Sequence, residues 1–149
     1  MVEGIYQVGD GLGVAGELTA AQLEQACRDG YRSVLNLRQA KEKGFLAEEE
    51  AIVTALGMGY VHKPVNPSQL HDDLVEEVVG EMDRLPKPLL VHCSLGLRSM
   101  GMAMLYLGKQ RGLTASEFLE KATAMGLNFD ERPAVKRFFL DYINRHFGG

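Results

Sequence analysis

The sequence is poor in cysteine and contains no tryptophan and no long apolar run. Two cysteines in 149 residues cannot build a disulfide framework, and they form no Cys-x-x-Cys pair with metal-ligand spacing. The most apolar stretch, residues 100–108, is much shorter than the roughly 20 residues that span a bilayer. The composition therefore argues against a disulfide scaffold, a cysteine-based metal site and a membrane helix.

The net charge is small and negative. A formal charge of -4 and a pI near 5.6 argue against general binding to nucleic acid or to an anionic membrane surface. The first residues, 1–4, show no basic segment followed by an apolar one, which a secretory signal would have. We therefore expect a cytoplasmic protein with reduced cysteines, in which local positive groups hold any anionic ligand.

Apolar patterns predict strands that alternate with helices. Strands are expected at residues 5–8, 31–37, 59–63 and 89–92, and the glycine-rich residues 9–13 are expected to form a turn. Helices are expected from Thr19 to Gly30, at 45–56, from Ser68 to Pro86, at 99–110, at 116–125 and at 131–146. This alternation predicts an α/β fold, with one domain over residues 1–149 and a mainly parallel sheet flanked by helices.

Ligands bind at the carboxyl ends of the strands in such sheets, where the loops 38–43, 63–67 and 93–98 would meet. In the last loop, Gly96 lets the backbone turn inward, and the N–H groups and the following helix start favour an anion. Arg98 can close this cradle as a two-pronged donor. Cys93, at its base, is predicted to be an activated nucleophile.

The run from His92 to Ser99, His-Cys-Ser-Leu-Gly-Leu-Arg-Ser, resembles the active-site loop of cysteine-dependent tyrosine and dual-specificity phosphatases. Those enzymes have five residues between Cys and Arg, whereas this chain has four, the spacing of rhodanese-type sulfurtransferases. With Leu35–Arg38 and Tyr60–Val65, the run is similar to the phosphatase-like domain of bacterial beta-lactamase-hydrolase-like proteins. The resemblance covers residues 4–112 and adds little about the helical residues 113–149.

The resemblance implies a role for each residue of the loop. Cys93 would be the nucleophile, Arg98 would bind the phosphoryl oxygens, and the Ser99 hydroxyl would stabilise the leaving thiolate. The backbone of Ser94, Leu95, Gly96 and Leu97 would bind the same oxygens, and His92 would support the loop. No metal and no organic cofactor would be needed, and the substrate would be an anionic small molecule or a phosphoprotein.

The residues around the loop are less typical. The family's general acid, usually Asp, corresponds in position to Asn66, which cannot supply a proton as an acid but could contact the substrate. Asp72 and Asp73, further along, are weaker acid candidates. Three basic residues on the predicted rim could recruit an anionic substrate: Arg38, Lys41 and Lys43.

Three functions remain open at this point. The His-Cys pair, Ser99 and the order of elements favour a phosphatase that hydrolyses phosphate monoesters through a phosphocysteine. The short loop and the missing acid favour a sulfurtransferase that carries a persulfide on Cys93. A non-catalytic module that binds an anion or a phosphorylated ligand has only the missing acid in its favour. The sequence contains no indication of the oligomeric state.

Overall fold

The computed structural model describes residues 4–148. Residues 1–3, on which part of the expectation about a secretory signal rests, and residue 149 lie outside the described range. Within that range no helix is long and apolar enough to cross a membrane.

A five-stranded sheet forms the centre of the described chain, with the strand order β1-β2-β5-β3-β4. The strands are β1 Ile5–Gly9, β2 Leu12–Ala15, β3 Ser33–Asn36, β4 Gly59–His62 and β5 Leu89–His92. β1 pairs with β2 in antiparallel fashion, while β5 pairs in parallel with both β2 and β3, and β3 pairs in parallel with β4. The α/β fold with a mainly parallel sheet is thus confirmed.

The glycine-rich segment was expected to be a turn, and this prediction is wrong for most of its length. The turn is confined to Asp10 and Gly11, after which the chain returns as β2 beside β1. β2 is fully buried, and a Cβ atom at Gly13 would lie 2.2 Å from the Tyr31 hydroxyl oxygen. Glycine at this position therefore allows close tertiary packing, which the local sequence does not reveal.

Helices cover both faces of the sheet, as expected. They are α1 Ala20–Arg28, α2 Glu49–Ala55, α3 Asp72–Arg84, α4 Leu97–Arg111, α5 Ala115–Ala124 and α6 Pro133–His146, with a short 3₁₀ helix at Phe129–Glu131. One apolar cluster lies under α1 and α2 and includes Leu23 and Val53. The larger cluster lies under the other helices and includes Val78, Phe118 and Phe139.

Several helices begin elsewhere than predicted. α3 begins at Asp72 because His71 caps it: its ring nitrogen Nδ1 accepts the Leu74 N–H at 3.2 Å. The predicted cap, Ser68, instead donates its backbone N–H to the Asn66 side chain at 2.9 Å. α2 begins at Glu49 rather than at residue 45, because the residues before it form a series of turns.

Helix α6 packs on α4. A Cβ atom at Gly101 of α4 would lie 2.2 Å from the Phe139 ring of α6, so the missing side chain lets the two helices approach closely. α6 begins at Pro133 rather than at residue 131, because proline fits the first helical position, where no N–H is needed. This contact brings the start of α6 close to the loop that follows β5.

Candidate active site

Cys93 follows β5 directly, and its side chain is fully buried. The backbone N–H groups of Gly96 and Ser99 point at its sulfur atom, with N···Sγ distances of 3.2 and 3.4 Å. The Ser99 hydroxyl oxygen also lies 3.4 Å from Sγ and 2.8 Å from the Ala15 carbonyl oxygen at the end of β2. Donors arranged in this way stabilise negative charge on the sulfur atom, which the nucleophilic form requires.

The loop turns inward at Gly96, which has a left-handed φ of 92° and is the N-cap residue of α4. α4 therefore begins at Leu97, two residues earlier than predicted, and its N-terminus meets the loop. The N–H groups of its first residues have no partner within the helix at positions 97–99, which gives this end partial positive charge. Gly16, the residue after β2, packs closely against the loop: a Cβ atom at this position would lie 2.7 Å from the Ser94 carbonyl oxygen.

Arg98 is buried, at 8% exposure, and its guanidinium donates hydrogen bonds to groups from two other segments of the chain. Nη1 donates to the Val65 carbonyl oxygen at 2.8 Å, in the loop after β4. Nη1 and Nη2 also donate to the two carboxylate oxygens of Glu42, at 2.8 and 2.9 Å. Arg98 thus presents its planar fork to a carboxylate inside the site.

Glu42 is a residue of the candidate site that could not be selected from the sequence. Its carboxylate also accepts hydrogen bonds from the Ser94 hydroxyl and from the Gln39 N–H. Burial alone would raise the pKa of Glu42, but hydrogen bonds from Arg98, Ser94 and Gln39 lower it to about 2. The chain's own carboxylate therefore occupies donors that could bind an anionic ligand.

The site is an open cavity of about 390 Å³. It is lined by Gln39, Glu42, Lys43, Pro67, Cys93, Ser94, Leu95, Leu97, Arg98, Arg132 and Val135. The three predicted loops thus meet at one mouth, and the start of α6 adds Arg132 and Val135, which the sequence analysis did not select. Among residues 4–148 no group of three or more His, Cys, Asp or Glu side chains is placed to hold a metal ion.

Two of the three basic rim residues are placed differently from expectation. Arg38 is buried, at 2% exposure, and donates to the carbonyl oxygens of Lys43 and Gly44 at 2.7 and 3.2 Å. It therefore holds the segment that contains Glu42 instead of lying on the rim. Lys41 is exposed and does not line the cavity, whereas Lys43 does.

The residues considered for acid catalysis also lie outside the cavity lining. Asn66 caps the turn at Ser68, as described above. Asp72 pairs with Arg145 and with His146 of α6 at 2.7 and 3.0 Å, and Arg145 and then His146 lower the pKa of its carboxyl group. Asp73 is exposed next to it, so the start of α3 contacts the end of α6 rather than the mouth.

His92 supports the loop from beneath. Its ring Nε2 lies 2.6 Å from a carboxylate oxygen of Glu49, and both side chains are almost completely buried. The other ring nitrogen, Nδ1, has no hydrogen-bond partner within the described chain. The pair joins the end of β5 to the first turn of α2, and His92 does not line the cavity.

The described chain has the fold of protein-tyrosine-phosphatase-like structures, as superposition on solved structures shows. A DUF442 protein of Shewanella putrefaciens CN-32 with a proposed phosphatase function superposes with a TM-score of 0.84 at 24% identity, over 99% of this chain and 93% of its own. The proposed phosphatase nma1982 of Neisseria meningitidis Z2491 superposes with a TM-score of 0.78 at 22% identity, covering 94% of this chain and 98% of its own. P. aeruginosa TpbA in complex with pTyr superposes with a TM-score of 0.75 at 14% identity, covering 98% and 91%.

Residues 5–110 match the phosphatase-like domain of beta-lactamase hydrolase-like proteins, and the chain belongs to this family. The resemblance inferred from the loop sequence is thereby confirmed. No curated protein matches the chain. The family match ends in α4, so Arg132 and Val135 of the cavity lie beyond it.

Proposed function

We propose that this protein is a cysteine-dependent phosphatase that hydrolyses phosphate monoesters through a phosphocysteine. The observation that carries the proposal is the arrangement of donors around the Cys93 sulfur, at a cavity where Arg98 presents a two-pronged donor. Membership in a phosphatase family supports the same chemistry.

In the proposed reaction the Cys93 thiolate attacks phosphorus, so that an S–P bond forms while the P–O bond to the leaving group breaks. Arg98 and the backbone N–H groups of the loop bind the phosphoryl oxygens, and their positive charge stabilises the transition state. Water then attacks the phosphocysteine, and the S–P electron pair returns to sulfur. The Ser99 hydroxyl, 3.4 Å from Sγ, stabilises that thiolate as it leaves.

The substrate class follows from the cavity lining. Lys43 and Arg132 place further positive charge near Arg98 in a chain whose net charge is -4, which favours an anionic small molecule or a phosphoprotein. Leu95 is 50% exposed at the mouth and provides an apolar contact for the leaving group. Thiolate chemistry needs a reduced Cys93, and we therefore propose a cytoplasmic location.

The test is hydrolysis of 4-nitrophenyl phosphate, whose leaving group needs little protonation. We expect turnover by the unmutated protein and its loss in Cys93→Ser. Cys27→Ser is the matched control, because Cys27 lies in α1, where its thiol is 3.5 Å from the Leu56 carbonyl oxygen. Equal turnover by the unmutated protein and Cys93→Ser would refute the proposal.

A sulfurtransferase is the second candidate, favoured by the four residues between Cys93 and Arg98. In this case Cys93 would take a sulfane sulfur from thiosulfate, release sulfite and pass the sulfur to a thiol. Intact mass after thiosulfate treatment would then show one added sulfur atom, absent in Cys93→Ser. Anion binding without phosphate turnover or sulfur transfer would instead indicate a binding module.

A further inference from the structure

A phosphatase of the proposed kind gains from a proton donor for the leaving oxygen, and the expected candidates do not line the cavity. Asp72 is paired with Arg145, Asp73 does not line the cavity, and Asn66, at the family's acid position, has no acidic proton and is engaged in its own turn. Among the described residues that line the cavity, Glu42 is the only one with a carboxyl group. An entering substrate would therefore meet the Glu42 carboxylate at Arg98.

Glu42 and a phosphoryl group would compete for the same donors. The carboxylate occupies both outer nitrogens of Arg98 and the Ser94 hydroxyl, which face the cavity beside Cys93. A phosphate monoester dianion carries twice the charge of a carboxylate and binds an arginine fork in the same way. An entering phosphoryl group can therefore displace the Glu42 carboxylate from Arg98.

The displaced side chain remains at the mouth. Arg38 holds the backbone on the C-terminal side of Glu42 through the Lys43 and Gly44 carbonyl oxygens, and its Nε lies 3.7 Å from the Glu42 carboxylate. The segment is thus fixed by bonds that do not involve Arg98. Glu42 needs only to change its side-chain conformation to exchange with the substrate.

Displacement also changes the proton affinity of Glu42. The hydrogen bonds from Arg98 and Ser94, which lower its pKa, are lost on displacement, and of the hydrogen bonds that lower it only the one from the Gln39 N–H can remain. The bound dianion and the Cys93 thiolate favour protonation of Glu42, whereas Arg38, Lys43 and Arg132 oppose it. Because the phosphoryl group neutralises Arg98, the strongest opposing charge is removed.

We propose, building on the phosphatase function above, that Glu42 exchanges places with the substrate at Arg98 and then protonates the leaving oxygen. The carboxyl O–H bond breaks as its proton passes to that oxygen, which keeps the electron pair of the broken P–O bond. In the second step the Glu42 carboxylate accepts a proton from the attacking water. Release of phosphate then allows Glu42 to lose this proton to solvent and to return to Arg98.

The exchange can be measured without turnover, by sulfate binding to Cys93→Ser at about pH 5.5, where sulfate is a dianion that brings no proton. Calorimetry in two buffers of different ionisation enthalpy counts the protons taken up on binding. We expect uptake approaching one proton per sulfate, and its loss in the double variant Cys93→Ser/Glu42→Gln. Absence of sulfate binding, binding without proton uptake, or the same uptake in both variants would overturn the exchange.

Proton donation is tested by comparing phenyl phosphate with 4-nitrophenyl phosphate in the otherwise unmutated protein. In Glu42→Gln we expect kcat/KM for phenyl phosphate to fall by about 100-fold or more, and by at least about tenfold more than for 4-nitrophenyl phosphate. Glu48→Gln, an exposed carboxylate that does not line the cavity, is the control. Equal losses on both substrates would show that Glu42 only positions Arg98.

These outcomes separate the two proposals. Turnover that does not depend on Cys93 refutes the phosphatase function itself, while the sulfate experiment still reports on the exchange. Cys93-dependent turnover with equal losses in Glu42→Gln leaves the phosphatase function intact and refutes proton donation alone.

Discussion

The Arg98 guanidinium and the Glu42 carboxylate form a two-pronged ion pair at the wall of the cavity, with N···O distances of 2.8 and 2.9 Å. The two residues are 56 positions apart in the sequence, Glu42 in the segment between β3 and α2 and Arg98 in the first turn of α4. The pair shows that the site can hold a planar, doubly coordinated anion, and it also places an internal competitor beside the candidate nucleophile.

The shape of the Arg98 side chain, and not its charge alone, should be needed for activity. Arg98→Lys keeps the positive charge but cannot donate to two oxygens and the Val65 carbonyl in the same plane. We expect kcat/KM for 4-nitrophenyl phosphate to fall by about 100-fold. Arg137→Lys, on the exposed surface of α6, is the control and should change little. Similar activity in both variants would contradict the assigned role of Arg98.

The buried pair of His92 and Glu49 should support both stability and the reactivity of Cys93. Glu49→Gln removes the charge of the carboxylate that faces the ring at 2.6 Å. We expect a loss of about 1–3 kcal/mol in the free energy of unfolding, measured by urea denaturation. The pH profile of Cys93 alkylation by iodoacetamide should also shift, which a purely structural role would not produce. Glu50→Gln, exposed one residue further on, should leave both unchanged.

The space beside Gly16 should determine the position of the loop. Gly16→Ala places a methyl group 2.7 Å from the Ser94 carbonyl oxygen, so the backbone must shift. We expect kcat to fall by about 10- to 100-fold, because small displacements of reacting groups are costly. Gly80→Ala in α3 meets nothing within 4 Å, and it should stabilise the protein by about 0.5–1 kcal/mol with unchanged kcat. An unchanged kcat in Gly16→Ala would show that the loop tolerates the shift.

The ion pair should also make stability depend on pH in the acid range. Because the pKa of Glu42 is lowered from 4.5 to about 2 on folding, its contribution is present above pH 4.5 and is lost as the pH falls towards 2. Urea denaturation at several pH values should therefore show unmutated protein and Glu42→Gln approaching each other below pH 4.5. A stability difference that stays constant across this range would mean that the charge of Glu42 does not contribute.

Local sequence was sufficient to predict the elements that local interactions determine. The helix expected from Thr19 forms as α1, with a Thr19–Gln22 capping box at its start, and the apolar residues of β5 form a strand with the predicted bounds. β2 escaped prediction because its burial depends on neighbours on both sides, which a glycine-rich segment does not reveal. The start of α3 was misplaced because a histidine ring, which seldom caps helices, took the role expected of a serine.

The same distinction between local and long-range interactions applies to the residues of the site. Cys93, Gly96 and Arg98 lie within six consecutive residues, so their spacing alone indicated a shared function. Glu42 lies between two lysines, in a segment for which charge suggested only a basic rim. Its carboxylate meets Arg98 only because parallel strands bring their ends to one edge of the sheet. Arg132 and Val135 reach the cavity through the packing of α6 on α4, which no sequence spacing encodes.

Because α6 contributes to the cavity, the choice of substrate and the proposed reaction depend on different parts of the chain. The candidate nucleophile Cys93, together with Arg98 and Glu42, lies before residue 110, while Arg132 at the cap of α6 and Val135 within it lie outside the family match. Relatives that differ in this helix can therefore diverge in the size and charge of the compounds they accept while retaining the same reaction. In the proposed reaction, selectivity can therefore evolve on one side of the cavity without any change in the residues proposed to make and break bonds on the other.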